Sequence, residues 1–364
     1  MSQLFTQAKI GQLHLANRIV VAPMCQYSAN DGFPSDWHMM HLGNMALSGA
    51  GLVIVEATAV QANGRISDRD LGLWNDDLAQ AYVPLVDAIK RYSPAKLGIQ
   101  LAHAGRKASS SAPWVGGGEL DETQGGWQTL APSAIAFGER SVPTAMTREQ
   151  IEQLKTDFVA AAKRAVKAGF ELLEIHAAHG YLLHQFLSPL SNKREDSYGG
   201  TLENRLRLLL EVFDAVRVAV DGTIAVGVRI SATDWILGGW DIAQSVCLAK
   251  ALDARGCDFL HVSSGGLGVE QQIPISPNYQ VPLAQKMKEV VAMPVIAVGL
   301  ITEPEQAEAI IATGQADLVA LARGILYDPR WPWHAAAKLG AKIAVAPQYQ
   351  RCEPHQHRGL FDVE

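Results

Sequence analysis

Eight short, nearly uninterrupted apolar runs, separated by longer segments of which several read as helices, constrain this chain more than any other feature. The runs are Ile19–Cys25, Gly51–Thr58, Leu97–Ala102, Phe170–His176, Ala225–Ile230, Phe259–Ser263, Pro294–Val298 and Asp317–Ala322. β-Branched residues recur in them and polar ones are scarce, the pattern of parallel strands buried on both faces. Between them, Arg148–Ala168, Leu202–Val220, Ile242–Arg255 and Glu303–Thr313 read as helices. Thr147 with Gln150 forms a capping-box signature, Gly169 stands where a helix closes, and Thr302 with Glu305 repeats the opening signal. Strand–helix alternation of this kind predicts an α/β fold, a (β/α)8 TIM barrel, as one domain over residues 1–364. An open doubly wound sheet is the alternative. It lacks support, because no GxGxxG opens a helix after the first run and no GxxxxGK[ST] occurs.

Three segments fall outside the repeat. Phe5–Arg18 alternates enough for an N-terminal hairpin closing one barrel end. Lys107–Met146, after the third run, is rich in Gly, Ser and Pro and carries Trp114 and Trp127. It is expected to cap a barrel end or form a small hairpin there. Residues 341–364 extend beyond the eighth run, and the final EPHQHRGLFDVE reads as a frayed polar tail.

Composition narrows the setting. With 48% hydrophobic and 19% charged residues the chain is an ordinary soluble globular sequence. A net charge of −6 leaves no basic footprint for nucleic acid. No run is long enough to cross a bilayer, and MSQLFTQAKIGQ has no apolar leader core. Cys25, Cys247, Cys257 and Cys352 form no CxxC pair, so neither a disulfide framework nor structural zinc is expected. The expected location is the cytoplasm.

In a barrel, function gathers at the C-terminal ends of the strands. That rule selects Pro23–Tyr27, Glu56–Thr58, Gln100–His103, His176–Tyr181, Arg229, Ser263–Gly266, Val298–Leu300 and Ala322–Gly324. Within His176–Tyr181, two imidazoles and a phenol can converge on one pocket, N–H donors for a developing oxyanion beside a proton source. Capping histidines with a core tyrosine, or a zinc pair, remain open as readings of the same spacing, although no HExxH or neighbouring ligand supports zinc. Arg229 ends an apolar run, where a charge needs an anion. Gly265, Gly266, Gly299 and Gly324 follow the last three runs, beside Arg323, where backbone amides can approach a phosphate.

At these positions the sequence resembles the Old Yellow Enzyme family of FMN-dependent ene-reductases, in particular its thermophilic-like branch and the bacterial xenobiotic reductases. The resemblance runs from NRIVVAPMCQYSA through HAGRKA, HAAHGYLLHQFLSP, NKREDSYGG and ENRLRLLLE to QYQR near the end. It implies a noncovalent FMN. Pro23, Met24 and Cys25 would run under it, Ala57 would meet its polar edge, Gln100 its pyrimidine ring, and Arg229 its N1 and O2. Val298, Gly299, Ala322 and Arg323 would hold the phosphate, with Gly265 expected beside them from its place after the sixth run; the family usually has Gly-Arg where this chain has Ala322-Arg323. It further implies that His176 and His179 bind the substrate oxygen, that Tyr181 donates the proton, and that Tyr27 and Cys25 contact substrate. The implied reaction is a ping-pong hydride transfer from NADPH or NADH to the activated C=C bond of α,β-unsaturated carbonyl compounds, with nitro compounds as further acceptors. No metal is implied. The resemblance also implies a homodimer or homotetramer in which Arg351 reaches the neighbouring active site. An FMN-binding sensor with little turnover is the alternative of a different class.

Overall fold

The computed structural model describes residues 2–362. A two-stranded antiparallel hairpin, β1 (Ala8–Ile10) and β2 (Leu13–Leu15), comes first. Eight parallel strands then close a barrel: β3 (Ile19–Val21), β4 (Leu52–Ala59), β5 (Lys96–Ala102), β8 (Leu172–Ala177), β9 (Ala225–Ser231), β10 (Leu260–Ser263), β11 (Val295–Ala297) and β12 (Leu318–Leu321). Each pairs with the next in the chain, and β12 returns to β3 with Val319 opposite Ile19. The eight apolar runs are these eight strands. The first is shorter than its run, for regular pairing stops at Val21 and residues 22–27 leave as an irregular segment over the barrel mouth.

Helices α1 (Asp36–Ala46), α2 (Asp76–Tyr92), α3 (Arg148–Ala168), α4 (Leu182–Leu187), α5 (Leu202–Ala219), α6 (Ile242–Asp253), α7 (Val281–Lys288), α8 (Pro304–Ala312), α9 (Arg323–Tyr327) and α10 (Trp331–Leu339) fill the connections. Thr147 caps α3 with Gln150 in the reciprocal arrangement, and Gly169 ends it at φ +101°. The opening of α8 differs from expectation. Glu303, not Thr302, is its N-cap, because the Gln306 side chain reaches back to the Glu303 amide at 3.2 Å.

Inward positions on the strands change character along the barrel axis. Near the N-terminal end they are apolar: Val20, Leu52, Ile54, Leu172, Phe259, Ile296 and Leu318 pack with Ile10 and Leu15 of the hairpin. The hairpin therefore plugs that end. Gly98 and Gly227 lie at the same level. A Cβ on Gly227 would sit 2.2 Å from the Phe259 ring, and one on Gly98 2.6 Å from Leu172, so the large neighbours occupy the space these glycines leave. One alternation higher the inward residues turn polar, with Gln100, Glu174, Arg229 and His261, and then His176, Ser231 and Ser263. The outward set, for example Leu173, Ile175, Val228 and Val262, packs under the helices in the larger core.

The insertion covers the polar end. It holds β6 (Leu130–Ala131) and β7 (Thr144–Ala145), paired in parallel, so it is not the antiparallel hairpin considered from the sequence. Trp114 within it meets Tyr27 edge-on at 5.8 Å. The C-terminal extension is also more ordered than a frayed tail. Its β13 (Ile343–Ala344) pairs with β14 (Phe361–Asp362), and Leu360 and Phe361 are buried against α10, with Phe361 5.1 Å from Trp333. Val363 and Glu364 lie outside the described residues. Among the described residues no helix is long and apolar enough to cross a membrane.

Candidate active site

The barrel interior presents one connected polar layer below its mouth. Glu174 is fully buried and accepts from Gln100 Nε2 at 2.7 Å and from His261 Nδ1 at 2.7 Å. A carboxylate only accepts, so these contacts orient both neighbours. The Gln100 amide must turn its NH2 to Glu174 and its carbonyl elsewhere, and His261 carries its proton on Nδ1. Burial works against the charge on Glu174, but the bonds from His261 and Gln100 together with the Arg229 guanidinium outweigh it and hold the carboxyl below the usual range. Burial, with Arg229, lowers His261, which stays neutral. Arg229 is itself 6% exposed, and its Nε has no partner among the described residues.

At the C-terminal end of β8 the chain makes a sharp turn. His176 is the last residue but one of the strand, His179 adopts a left-handed φ of +58°, and Gly180 follows at +72°. A left-handed residue with a Cβ costs roughly 1–2 kcal/mol, so it is held from several sides. The His179 amide donates to Ser231 Oγ at 2.9 Å, its carbonyl accepts from Lys107 Nζ at 2.8 Å, and its Nε2 pairs with Ser263 Oγ at 2.8 Å. Behind the turn, the Gly180 amide donates to His184 Nδ1 at 2.8 Å, which puts the His184 proton on Nε2, 2.8 Å from buried Asp234. Gly180 is needed here because a Cβ would strike the Gly266 carbonyl at 2.1 Å.

This turn brings the three expected residues together. The His176 ring lies 5.1 Å from that of His179 and 5.2 Å from that of Tyr181, edge to face. His176 Nδ1 is buried and has no partner among the described residues. Burial, then the Arg229 charge, pulls both imidazoles well below their usual range, so each is neutral with one N–H to give. Burial, with Cys25 and Tyr27, holds the Tyr181 phenol well above its usual range, so it keeps its proton at neutral pH. Lys107 sits with Nζ 5.0 Å from the Tyr181 ring centre.

Across the mouth, Pro23, Met24, Cys25 and Tyr27 are half-buried on the segment leaving β3. Tyr27 takes a left-handed φ of +49°. Glu56, at a register shift in β4 that also sets Ala57 opposite Gln100, accepts from the Gln26 amide at 3.0 Å and faces His38 Nε2 at 3.7 Å. Asp70 is buried and accepts from the Ser67 amide and hydroxyl at 2.8 and 3.1 Å. Burial chiefly, with Glu56, pushes its carboxyl up to about 7. Burial first, and then these two carboxylates, holds the Cys25 thiol well above its usual range.

Val298, Gly299, Ala322, Arg323 and Gly324 line a cavity of about 140 Å³ beyond β11 and β12. Gly265 is not part of it. Its amide donates to the Thr233 carbonyl at 2.8 Å and that of Gly266 to Gln271 Oε1 at 2.6 Å, so neither is free for a phosphate. Their service is steric: a Cβ on Gly266 would fall 2.6 Å from the His179 backbone. Arg351 lies apart from the mouth residues, exposed on a short 3-10 turn (Pro347–Cys352). Sequence reasoning passed over Glu174, His261 and Lys107. The first two are the polar members of otherwise apolar runs, two residues beyond inward-facing Leu172 and Phe259, and that alternation was the available signal.

A strand-end layer with a buried cation, a pre-oriented amide and a neutral imidazole pair suits redox chemistry on a bound organic cofactor, which defines the class as a barrel oxidoreductase. The chain belongs to the NADH:flavin oxidoreductase / NADH oxidase family, the Old Yellow Enzyme family, whose model matches residues 3–341. It is 47% identical over 354 residues to an NADPH dehydrogenase of Listeria innocua serovar 6a, covering 96% of this chain and 99% of that protein. Among solved structures it is similar to morphinone reductase in complex with tetrahydroNAD, with TM-score 0.76, 28% identity, and 99% and 94% coverage of the two chains. It is similar also to 2-naphthoyl-CoA reductase, with TM-score 0.83 and 25% identity, matching 93% of this chain but only 52% of that longer one.

Asp70 generates a pH prediction. Its folded carboxyl keeps a proton that an unfolded aspartate releases near ~4, so stability falls as pH rises from about 4 to about 7. Asp70→Asn retains both contacts with Ser67 and removes this linkage. Denaturant unfolding at a series of pH values is expected to show a shallower decline across that window than in wild type. An unchanged slope would mean that Asp70 is not the group responsible.

Proposed function

We propose that this protein is an FMN-dependent ene-reductase that uses NADPH or NADH to reduce the activated C=C bond of α,β-unsaturated carbonyl compounds. The observation that carries this reading is the convergence of two neutral imidazoles and a protonated phenol at the end of β8. The residues present fit the cofactor. Arg229 offers a buried, unpartnered Nε–H where a planar anionic edge would satisfy it. Gln100, its NH2 committed to Glu174, presents a carbonyl to a ring N–H. Pro23, Met24, Cys25 and Ala57 form the surface beneath, and the cavity lined by Val298, Gly299, Ala322 and Arg323 would receive the phosphate. Cys25 kept as a thiol does not attack the ring, consistent with noncovalent binding.

Held by these residues, a flavin would supply the hydride transfer between nicotinamide and substrate. The protein's part is to place the substrate and manage charge. His176 and His179 each donate one hydrogen bond to the carbonyl oxygen and stabilise the enolate-like charge that grows there; His179 exchanges its Ser263 contact for the substrate. Neutral donors suit this, because they need not be desolvated as cations. Tyr181, facing His176, supplies the proton to the α-carbon. Tyr27, with Trp114 against its ring, closes the opposite side of the pocket. The Listeria relative is named for NADPH, which favours that donor here. Four unpaired cysteines are consistent with the cytoplasm, a location that cell fractionation would test.

Tyr181→Phe separates the two halves of turnover. Anaerobic stopped-flow is expected to show flavin reduction by NADPH near wild type and reoxidation by 2-cyclohexenone slowed by roughly two orders of magnitude or more, as general acid catalysis is worth. Equal slowing of both halves would remove Tyr181 from the proton-donor role.

The same reading includes a symmetric homo-oligomer in which the exposed Arg351 completes the neighbouring pocket. Mixing Arg351→Ala with Tyr181→Phe subunits should restore activity, because one pocket of the mixed dimer receives both intact residues. No regain after proven subunit exchange, or a fully active monomer in sedimentation, would contradict it.

A further inference from the structure

Three cations crowd one phenyl ring beside the mouth. The Phe137 ring centre lies 4.8 Å from Lys107 Nζ, 5.9 Å from the Arg106 guanidinium carbon and 6.0 Å from that of Arg140. Among the described residues, none of the three makes a salt bridge. Their hydrogen bonds go to neutral oxygens. Arg106 donates to the carbonyls of Ile135, Ala136 and Leu267 at 3.1, 3.1 and 2.9 Å. Lys107 donates to those of His179 and Gly266, and Arg140 to Ser110 Oγ at 2.8 Å and to the carbonyls of Lys107, Ala108 and Gly117. Such bonds satisfy donors but leave the charge uncompensated. Glu119 and Glu270 act on Arg140 and Arg106 only through space.

The cost is visible in the lysine. Burial, with Arg140 and Arg106, pulls Lys107 down to about 8. Glu270 and Glu119 are the carboxylates nearest Arg106 and Arg140, neither pairs with them, and two carboxylates facing three cations leave the cluster with a net positive charge. Arg106 is 6% exposed and its Nε has no partner among the described residues. With Ile135, Phe137, Leu190, Ile236 and Glu270 it lines a cavity of about 340 Å³, while Lys107 and Arg140 stand behind Phe137, outside the lining. Through Lys107, whose Nζ lies 5.0 Å from the Tyr181 ring centre, the cluster reaches the turn that follows β8.

We infer that Arg106, Lys107 and Arg140 form an oxyanion-binding subsite, which takes a phosphate or carboxylate group carried by the ligand beyond its reacting carbon. The inference rests on the ene-reductase reading for which ligands enter the mouth. The counter-charge that Glu270 and Glu119 supply only in part then arrives with the ligand, and the apolar walls away from Glu270 hold the portion of the ligand next to it. Arg106 Nε is the free donor and the charges of Lys107 and Arg140 stand behind it: a ligand with an oxyanion there gains a charge-assisted hydrogen bond and eases the repulsion among the three cations, which a neutral ligand leaves in place. The oxyanion can belong to the dinucleotide donor or to the acceptor.

The test uses the purified holoenzyme, wild type, Arg140→Gln and the charge-preserving Arg140→Lys. Titration calorimetry with inorganic pyrophosphate reads the subsite without turnover. Anaerobic stopped-flow reads two matched pairs: NADPH against 1-benzyl-1,4-dihydronicotinamide, and (E)-4-oxo-2-pentenoate against 2-cyclohexenone. Pyrophosphate is expected to bind wild type and to weaken roughly tenfold in Arg140→Gln, the loss of about one charge-assisted bond, with recovery in Arg140→Lys. The apparent dissociation constant of the anionic member of one pair should rise relative to its neutral counterpart. A change confined to the donor pair assigns the oxyanion to the dinucleotide, and one confined to the acceptor pair assigns it to the substrate. The subsite is refuted by absence of pyrophosphate binding to wild type, by equal binding to Arg140→Gln, or by charged and neutral partners weakening alike. Pyrophosphate binding in a protein that reduces no enone would keep the subsite and remove the ene-reductase reading.

Discussion

A single buried carboxylate organises the interior of this barrel. Glu174 fixes the Gln100 amide on one side and the His261 tautomer on the other, and it offsets the Arg229 guanidinium above. Removing any one partner would leave a buried polar group unsatisfied, at a cost of roughly 1–3 kcal/mol or more for a charged one. The arrangement is possible because consecutive parallel pairing puts β5, β8, β9 and β10 side by side, so inward residues from four strands meet at one height. Below it the hairpin plug keeps water out; above it the surplus hydrogen-bonding capacity, Arg229 Nε and the Gln100 carbonyl, is directed to whatever binds.

The turn proposed to carry the reaction depends on that layer from a second direction. His176 lies near the end of the strand that carries Glu174, and the next residues must fold back sharply to bring His179 and Tyr181 alongside it. Three fixtures hold the bend: Ser231 on the His179 amide, Lys107 on its carbonyl and the His184–Asp234 pair behind Gly180. A left-handed histidine persists because neighbours on β9, β10, α4 and the insertion all agree on its position. Lys107 couples this bend to the cation cluster, because its Nζ lies against the Phe137 and Tyr181 rings alike.

Much of this was legible in the sequence. Eight strands followed from eight apolar runs, and the rule that function sits at strand C-termini singled out His176, His179, Tyr181, Arg229 and Gln100, which lie together at the polar end of the barrel. What stayed hidden had physical reasons. Glu174 and His261 sit inside apolar runs, where a fully buried strand conceals its inward alternation, and only barrel closure shows which face each residue takes. Gly265 looked like a phosphate glycine because positive-φ glycines serve phosphates and backbone crossings alike; its amide proved to be bonded to Thr233. The tail looked polar because Leu360 and Phe361 are too few to signal burial without the Trp333 surface they pack on. Lys107 gave no signal, since a lysine beside an arginine ordinarily marks a solvated surface.

Whether this interior layer holds a flavin that cycles between nicotinamide and an electron-poor alkene can be read from the absorption spectrum of the purified protein supplied with FMN, taken before and after anaerobic addition of NADPH and then of 2-cyclohexenone. Bound oxidised flavin, bleaching by NADPH and recovery of the oxidised spectrum with the enone are expected. A protein that does not retain FMN, or whose reduced flavin is not reoxidised by the enone, would contradict the ene-reductase reading.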